Sequence, residues 1–262
     1  MRVGLSWGVE TQLYIDSFAM ANFPSIPIPN NPARFEPKYS KKRAGILRPS
    51  DVRHVLRVID ATSRWPERDC ALVVASLCTG MRCTELARVT PRDILMPSGK
   101  VRDAVQLRAE ITKGCKARLA YFTNPKLIAA LDRYVQSRHA KRIGLSGGED
   151  YAGLYPDAPM FFSSRKGGFS MVPKNRALES GLTGQYVAAD GLEHLFRRIF
   201  DRSGLKDCSS HSGRRTFAST LLAKGVSSED VSRLLGHSEI DVTGDYLECS
   251  EAMLEAAFAD VL

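Results

Sequence analysis

The chain has 262 residues, 44% of them hydrophobic and 25% charged, which suits a globular protein of one large domain or two modest ones. Lysine and arginine exceed aspartate and glutamate by 37 to 29, and this basic balance favours a polyanionic partner, nucleic acid first. The six cysteines form no CxxC pair and no zinc spacing. Neither a signal peptide nor an apolar run of membrane-spanning length is present, so we expect a cytoplasmic protein with free thiols and no membrane partner.

The first 43 residues are predicted to be distinct from the rest of the chain. A short helix is predicted around residues 9–20, and the five prolines between positions 24 and 37 then predict an extended linker. A basic run follows, which is either a solvated tether or a phosphate contact: Lys38, Lys41, Lys42 and Arg43. We therefore divide the chain into residues 1–43 and a folded domain over residues 44–262.

The folded domain is predicted to begin with three helices. Ser50 is a plausible cap for the first, and the second starts near Pro66 and is apolar nearly all round between 70 and 78, so it should be central and buried. Gly80 ends it, and a third helix covers 84–89. Arg82 then lies in a sharp turn between two helices, where a side chain is held rigidly.

The middle of the domain changes to a period of two. Alternation over 105–111 and again over 117–121, around a glycine-containing turn at 112–116, predicts a β-hairpin, and a further strand near 93–96 would complete a three-stranded sheet. The later segments are predicted as a helix over 125–139, loops over 143–190, and helices over 191–200, from Ser209 or Ser210 to Gly225, and from Ser227 to Gly236, followed by an amphipathic segment after Tyr246. The fold class is therefore α+β, mostly helical, with a small three-stranded antiparallel sheet.

One set of side chains supplies every group that phosphodiester transfer needs. Arginines stay protonated and donate to phosphate in a fixed fork, and imidazoles donate to the same oxygens or move a proton near neutral pH. A tyrosine phenol can attack phosphorus, and a lysine can protonate the departing sugar oxygen. Each residue alone more often has a packing or surface role, so the joint occurrence carries the prediction: Arg82, Lys113, His211, Arg214, His237 and Tyr246.

These residues stand in strings that resemble the motifs of the tyrosine recombinases, the phage-integrase family. TGMRCTEL at 79–86 resembles the first arginine motif, and HSGRRTFA at 211–218 resembles the His-x-x-Arg motif. LLGHS at 234–238, with Tyr246 after it, is similar to the segment from the second histidine to the nucleophile. TKG at 112–114, with Lys116 and Arg118, is similar to the hairpin that carries the catalytic lysine. The resemblance covers roughly residues 44–262.

The resemblance implies a role for each residue and no metal or cofactor. Arg82 and Arg214 would clamp the scissile phosphate, and Glu85 would orient the cluster. Lys113 would be the general acid, with Lys116 as a second candidate. His211 would assist proton transfer at the tyrosine, His237 would donate to a phosphate oxygen, and Tyr246 would form the 3′-phosphotyrosine. Further contacts with DNA are expected from a basic set: Lys41, Lys42, Arg43, Lys116 and Arg215.

Two features depart from the family pattern. Between His211 and Arg214 stand Ser212 and Gly213, where the family more often has an acidic or small residue and then leucine; the glycine costs helix propensity but permits close helix approach. The helical core-binding domain that usually precedes the catalytic domain is represented only by residues 1–43, which resemble its end. The chain is thus expected to be a short recombinase or a fragment, with weaker and steeply salt-dependent DNA affinity.

The implied activity is site-specific recombination or integration on double-stranded DNA, at the nucleoid. The implied partner is a second copy of the chain, in a tetramer on DNA whose C-terminal segments dock in trans, with room for accessory DNA-bending proteins. Two alternatives stay open: DNA relaxation of the type IB topoisomerase kind, and a recombinase-derived DNA-binding module without strand exchange. The complete catalytic set argues against the module, and the segment after Tyr246 argues for recombination.

Overall fold

The computed structural model describes residues 44–112, 117–164, 167–177 and 183–236. The helices there are α1 (Pro49–Thr62), α2 (Pro66–Thr79), α3 (Cys83–Arg88), α4 (Pro91–Ile94), α5 (Pro125–Ala140), α6 (Asp150–Gly153), α7 (Asp190–Arg202), α8 (Ser212–Ala223) and α9 (Ser228–Leu235). The strands are β1 (Ala104–Leu107), β2 (Arg118–Tyr121), β3 (Val172–Ala177) and β4 (Thr183–Ala188). The predicted class, α+β and mostly helical, is confirmed. The helix predicted at 9–20, the hairpin tip and the final amphipathic segment lie outside the described residues.

Helix α2 is the centre of the domain, as its sequence predicts. It is buried along nearly its whole length, and α1, α5 and α8 pack around it. A helix that is apolar all round must be covered on every side, which explains why three helices surround this one. Pro66 occupies its first turn and Gly80 ends it in the left-handed conformation, with φ of 61°. Among the described helices, none combines the length and the apolar character needed to span a bilayer.

The sheet differs from the predicted one. Strands β1 and β2 pair antiparallel, with Leu107 opposite Arg118, which confirms the hairpin. The three-stranded sheet is wrong, because residues 91–94 form α4: Pro91 presets a helical turn, and the Thr90 hydroxyl accepts from the Asp93 N–H. Only Leu95 pairs there, in an isolated bridge with Val101. Strand β1 also stops early, since a 3₁₀ turn at Ala109–Ile111 replaces the predicted alternation.

A second antiparallel pair, β3 with β4, lies in the region predicted as loop. Its strands lack apolar alternation, and the ends at Val172 and Val187 are exposed, so the periodic signal that marks a half-buried strand is missing.

Two predicted helix caps are also corrected. Helix α1 begins at Pro49 with Arg48 as its N-cap, and Asp51 accepts from the Arg48 N–H at 3.0 Å, so Ser50 is not the cap. His211 takes the N-cap position of α8 in place of Ser209 or Ser210. The predicted Ser227 cap of α9 is confirmed, because its hydroxyl accepts from the Asp230 N–H.

Candidate active site

Arg82 is held at the start of α3 by a buried carboxylate. Its backbone N–H donates to Glu85 Oε2 at 2.8 Å and its Nη1 contacts Oε1 at 3.1 Å. The preceding turn is rigid because α8 and α9 close over it: a Cβ at Gly80 would lie 2.6 Å from Phe217 and 2.9 Å from Leu235. The Arg82 side chain keeps 18% of its surface exposed. The turn thus holds the Arg82 guanidinium in place while leaving it partly exposed.

Glu85 is the buried centre of the cluster, with no exposed side-chain surface. It also binds a second arginine, since Arg118 Nη2 lies 2.5 Å from Oε2 and Arg118 Nε lies 3.4 Å from Oε1. Burial by itself raises the pKa of Glu85, but the charges of Arg118, Arg214 and Arg82 outweigh burial and hold that pKa below its usual value. Glu85 is therefore a carboxylate at neutral pH.

Arg214 joins the cluster from α8 and is almost fully buried. Its Nη1 donates to the Gly80 carbonyl at 2.8 Å, and its Nη2 donates to the Leu235 carbonyl at 2.6 Å. Both acceptors are helix-end carbonyls, which have no intrahelical partner and attract cations. Arg214 therefore ties together the end of α2, just before Arg82, and the end of α9.

Gly213 permits the approach of α8 that this arrangement requires. A Cβ at position 213 would lie 2.1 Å from Ser76 Oγ and 2.8 Å from Ser76 Cβ, on α2. Only glycine leaves that space free, so the predicted role in close helix approach is confirmed. Glycine lowers helix propensity by about 1 kcal/mol at this position, and the close contact with α2 explains why a glycine stands there.

Only some of the remaining predicted catalytic residues lie within the described ranges. His211 is exposed at the N-cap of α8, one helical turn from Arg214. Gly236 caps the C-terminal end of α9, in the left-handed conformation with φ of 64°, and His237 is the next residue in the sequence. Several predicted residues lie outside the described ranges: Lys41, Lys42, Arg43, Lys113, Lys116, His237 and Tyr246.

Arg215 has a contact that the sequence does not predict. It is largely buried, and its Nη1 donates to the carbonyl of Ala44, while the Leu47 N–H donates to Thr216 Oγ1 at 2.9 Å. These bonds fasten the segment before α1 to α8. A contact of Arg215 with DNA stays a prediction.

Arg118 is the member of the cluster that the sequence marks only as part of the hairpin string, without a role in the site. The alternation in β2 suggests that Leu119 and Tyr121 face the core, yet these are 43% and 49% exposed while Arg118 is buried. The signal that would have found it is a charge at the inward position of a short strand. Which strand positions point inward can be identified only once the register with β1 is known.

The cluster is suited to binding an anion. Arg82 and Arg118 contact the Glu85 carboxylate, Arg214 adds a third guanidinium charge to it, and guanidinium groups are well suited to binding phosphate oxygens. Within the described ranges, no three His, Cys, Asp or Glu side chains come together to hold a metal ion. The fold and the cluster thus define a mostly helical domain in which three arginines are gathered at one buried carboxylate.

The profile of the phage integrase family matches residues 46–253, so the chain belongs to that family. Similar proteins include a tyrosine recombinase XerD of Staphylococcus haemolyticus, 24% identical over 85% of this chain, and a tyrosine recombinase XerC of Oceanobacillus iheyensis, 26% identical over 85%. The chain covers 64% and 62% of these two relatives, just under two thirds of their length.

Solved structures share the fold. The crystal structure of XerA recombinase superposes with a TM-score of 0.54 at 19% identity, covering 80% of this chain and 61% of that one. XerH, bound to its palindromic difH substrate after cleavage, gives 0.54 at 18% identity, covering 82% and 52%. Their similarity confirms the architecture.

Proposed function

We propose that the chain is a site-specific recombinase that cuts and rejoins double-stranded DNA through a covalent bond to Tyr246. The observation that carries the proposal is the placement of Arg82 and Arg214 around one buried carboxylate, at the end of the helix that leads into His237. Two neighbouring guanidinium groups, in a chain of this family, complement the negative charge of a scissile phosphate. The names of the relatives support the same reaction.

The proposed reaction balances without a cofactor. The Tyr246 phenol oxygen attacks phosphorus, and its proton passes to His211. The bond from phosphorus to the 5′-oxygen breaks, and Lys113, or Lys116 in its place, gives that oxygen a proton. Arg82, Arg214 and His237 stabilise the charge that develops on the phosphate oxygens. The 3′-phosphotyrosine keeps the energy of the broken bond, so a free 5′-hydroxyl reverses the step.

We further propose the division of labour along the chain. Residues 44–262 form the catalytic domain, and residues 1–43 form a linker whose basic end, at Lys41, Lys42 and Arg43, contacts phosphates. The family match over 46–253 and the bond from Arg215 to Ala44 support a boundary near residue 44. DNA as substrate places the protein at the nucleoid, with accessory DNA-bending proteins as further candidates for partners.

Assembly on DNA is the last element of the proposal, with the C-terminal segment docking on a neighbouring copy. Helices α1, α2, α5 and α8 line a groove of about 580 Å³, whose lining includes the apolar Leu56 and Leu77 and the basic Arg53, Lys126 and Arg133. Residues 247–262 carry four acidic and no basic side chains among apolar ones. The opposite charges and the shared apolar character support this segment as the occupant.

A covalent trapping assay tests the proposal. Nicked suicide duplexes from the DNA flanking the gene are incubated with the chain, and adducts are resolved on a denaturing gel. We expect an adduct with the wild type and none with Tyr246→Phe, which should still shift the duplex on a native gel. Absence of an adduct from the wild-type chain would contradict the proposal. Relaxation of supercoils without strand exchange would replace recombination by topoisomerase activity.

A further inference from the structure

Arg118 is a buried charge, and burying a charge costs free energy, which indicates that it has a specific role. It occupies the inward face of β2, opposite Leu107, with 5% of its side chain exposed. A buried guanidinium is tolerated only when it is paired and its hydrogen-bonding groups are satisfied. Its pairing with Glu85 meets the first requirement, through two nitrogens that face the two carboxylate oxygens.

The same guanidinium reaches a third element. Its Nη1 donates to the Leu234 carbonyl, in the last turn of α9, at 2.8 Å. The neighbouring backbone is fitted to it, because a Cβ at Gly236 would lie 2.9 Å from Arg118 Cδ. Arg118 therefore connects β2, the buried carboxylate of α3 and the helix end that leads to His237.

The charges of the cluster show what Arg118 does for catalysis. Glu85 contacts both Arg82 and Arg118, and it also feels the charge of Arg214. With Arg118 present, its positive charge offsets Glu85, and the charge of Arg82 is left for the substrate. Without Arg118, the carboxylate would offset Arg82 instead.

We propose that Arg118 is a positioning residue, the buried counter-ion of Glu85, which keeps the positive charge of Arg82 available to the scissile phosphate. This inference rests on the proposed function, since it concerns the same phosphate. Arg118 would then act by balancing charge among the side chains around Glu85.

The test compares two substrates that differ in charge. A methylphosphonate replaces one anionic phosphate oxygen by a neutral methyl group, so its cleavage depends far less on compensating positive charge. We expect Arg118→Met to slow covalent adduct formation on the ordinary phosphodiester by roughly 100-fold. The same variant should keep most of the wild-type rate on the methylphosphonate. Equal losses on both substrates would overturn the proposal and leave Arg118 a packing residue.

A second variant tests the charge balance itself. Adding Glu85→Gln to Arg118→Met removes the carboxylate that would otherwise offset Arg82, so the positive charge of Arg82 becomes available again. We expect the double variant to cleave the phosphodiester about tenfold faster than Arg118→Met alone. A double variant that is as slow as, or slower than, the single one would overturn the counter-ion role. Arg118→Lys keeps the charge and should fall between wild type and Arg118→Met on the phosphodiester; a folded lysine variant as slow as the methionine variant would also overturn it.

Arg138 supplies the matched control for loss of a buried arginine. It is 1% exposed and donates to three backbone carbonyls, of Ile143, Gly144 and Met160. Arg138→Met should lower the thermal midpoint without changing the ratio of the two substrates. If the wild-type chain forms no adduct with either substrate, the proposed function fails and the role of Arg118 with it; adducts with equal losses in Arg118→Met overturn only the latter.

Discussion

Replacing Gly213 by alanine tests how tightly α8 must approach α2. The new Cβ would lie 2.1 Å from Ser76 Oγ, 2.8 Å from Ser76 Cβ and 3.2 Å from the Ser76 carbonyl carbon. Rotation of the hydroxyl relieves only the first contact, so the helices must separate. Overpacking of this kind costs up to about 3 kcal/mol, and alanine regains about 1 kcal/mol of helix propensity. We expect a net loss of about 2 kcal/mol in the free energy of unfolding.

The assay is urea unfolding followed by circular dichroism, with two controls. In a Ser76→Gly background the two closest contacts are gone, so Gly213→Ala should there be neutral or stabilising. Gly191→Ala, in the first turn of α7, has its closest contact with the Ser170 hydroxyl at 3.3 Å and should not destabilise. Equal destabilisation by Gly213→Ala in both backgrounds, or none in the wild type, would refute the reasoning.

Three further predictions concern the cluster and the turn at Gly80 that precedes it. Arg214→Lys replaces a fork that spans the Gly80 and Leu235 carbonyls by a point charge, so adduct formation should fall by about 100-fold while DNA binding in a mobility shift changes little; an unchanged rate would exclude the clamp role. Gly80→Ala forces a side chain into the left-handed region and against α8, and urea unfolding should show a loss above about 2 kcal/mol; a loss below about 1 kcal/mol would contradict the packing of this turn. Because the pKa of Glu85 is lower in the fold than its usual value of about 4.5, its carboxylate stabilises the fold above that pH, and this stability is lost as the pH falls through the folded pKa. Glu85→Gln should flatten the acid limb of the stability profile, and an unchanged limb would contradict the buried ion pairs.

The sequence predicts those parts of the site that depend on short motifs of neighbouring residues. The turn at Gly80, Arg82 as its rigid residue, and Gly213 as a point of close approach all follow from neighbours within a few positions. Arg118 does not, because its partners Glu85 and Leu234 lie 33 and 116 positions away and its strand suggests the opposite face. Strands β3 and β4 were not predicted either, because neither carries the apolar alternation that marks a half-buried strand.

The most direct test of the central claim is to identify the residue that becomes attached to DNA. The trapped adduct is digested with nuclease and protease, and the peptide that keeps a nucleotide is sequenced by mass spectrometry. The proposed function predicts a phosphate remnant on Tyr246, linked through the 3′ side of the cleaved strand. A remnant on any other residue, or a 5′ linkage, would contradict it.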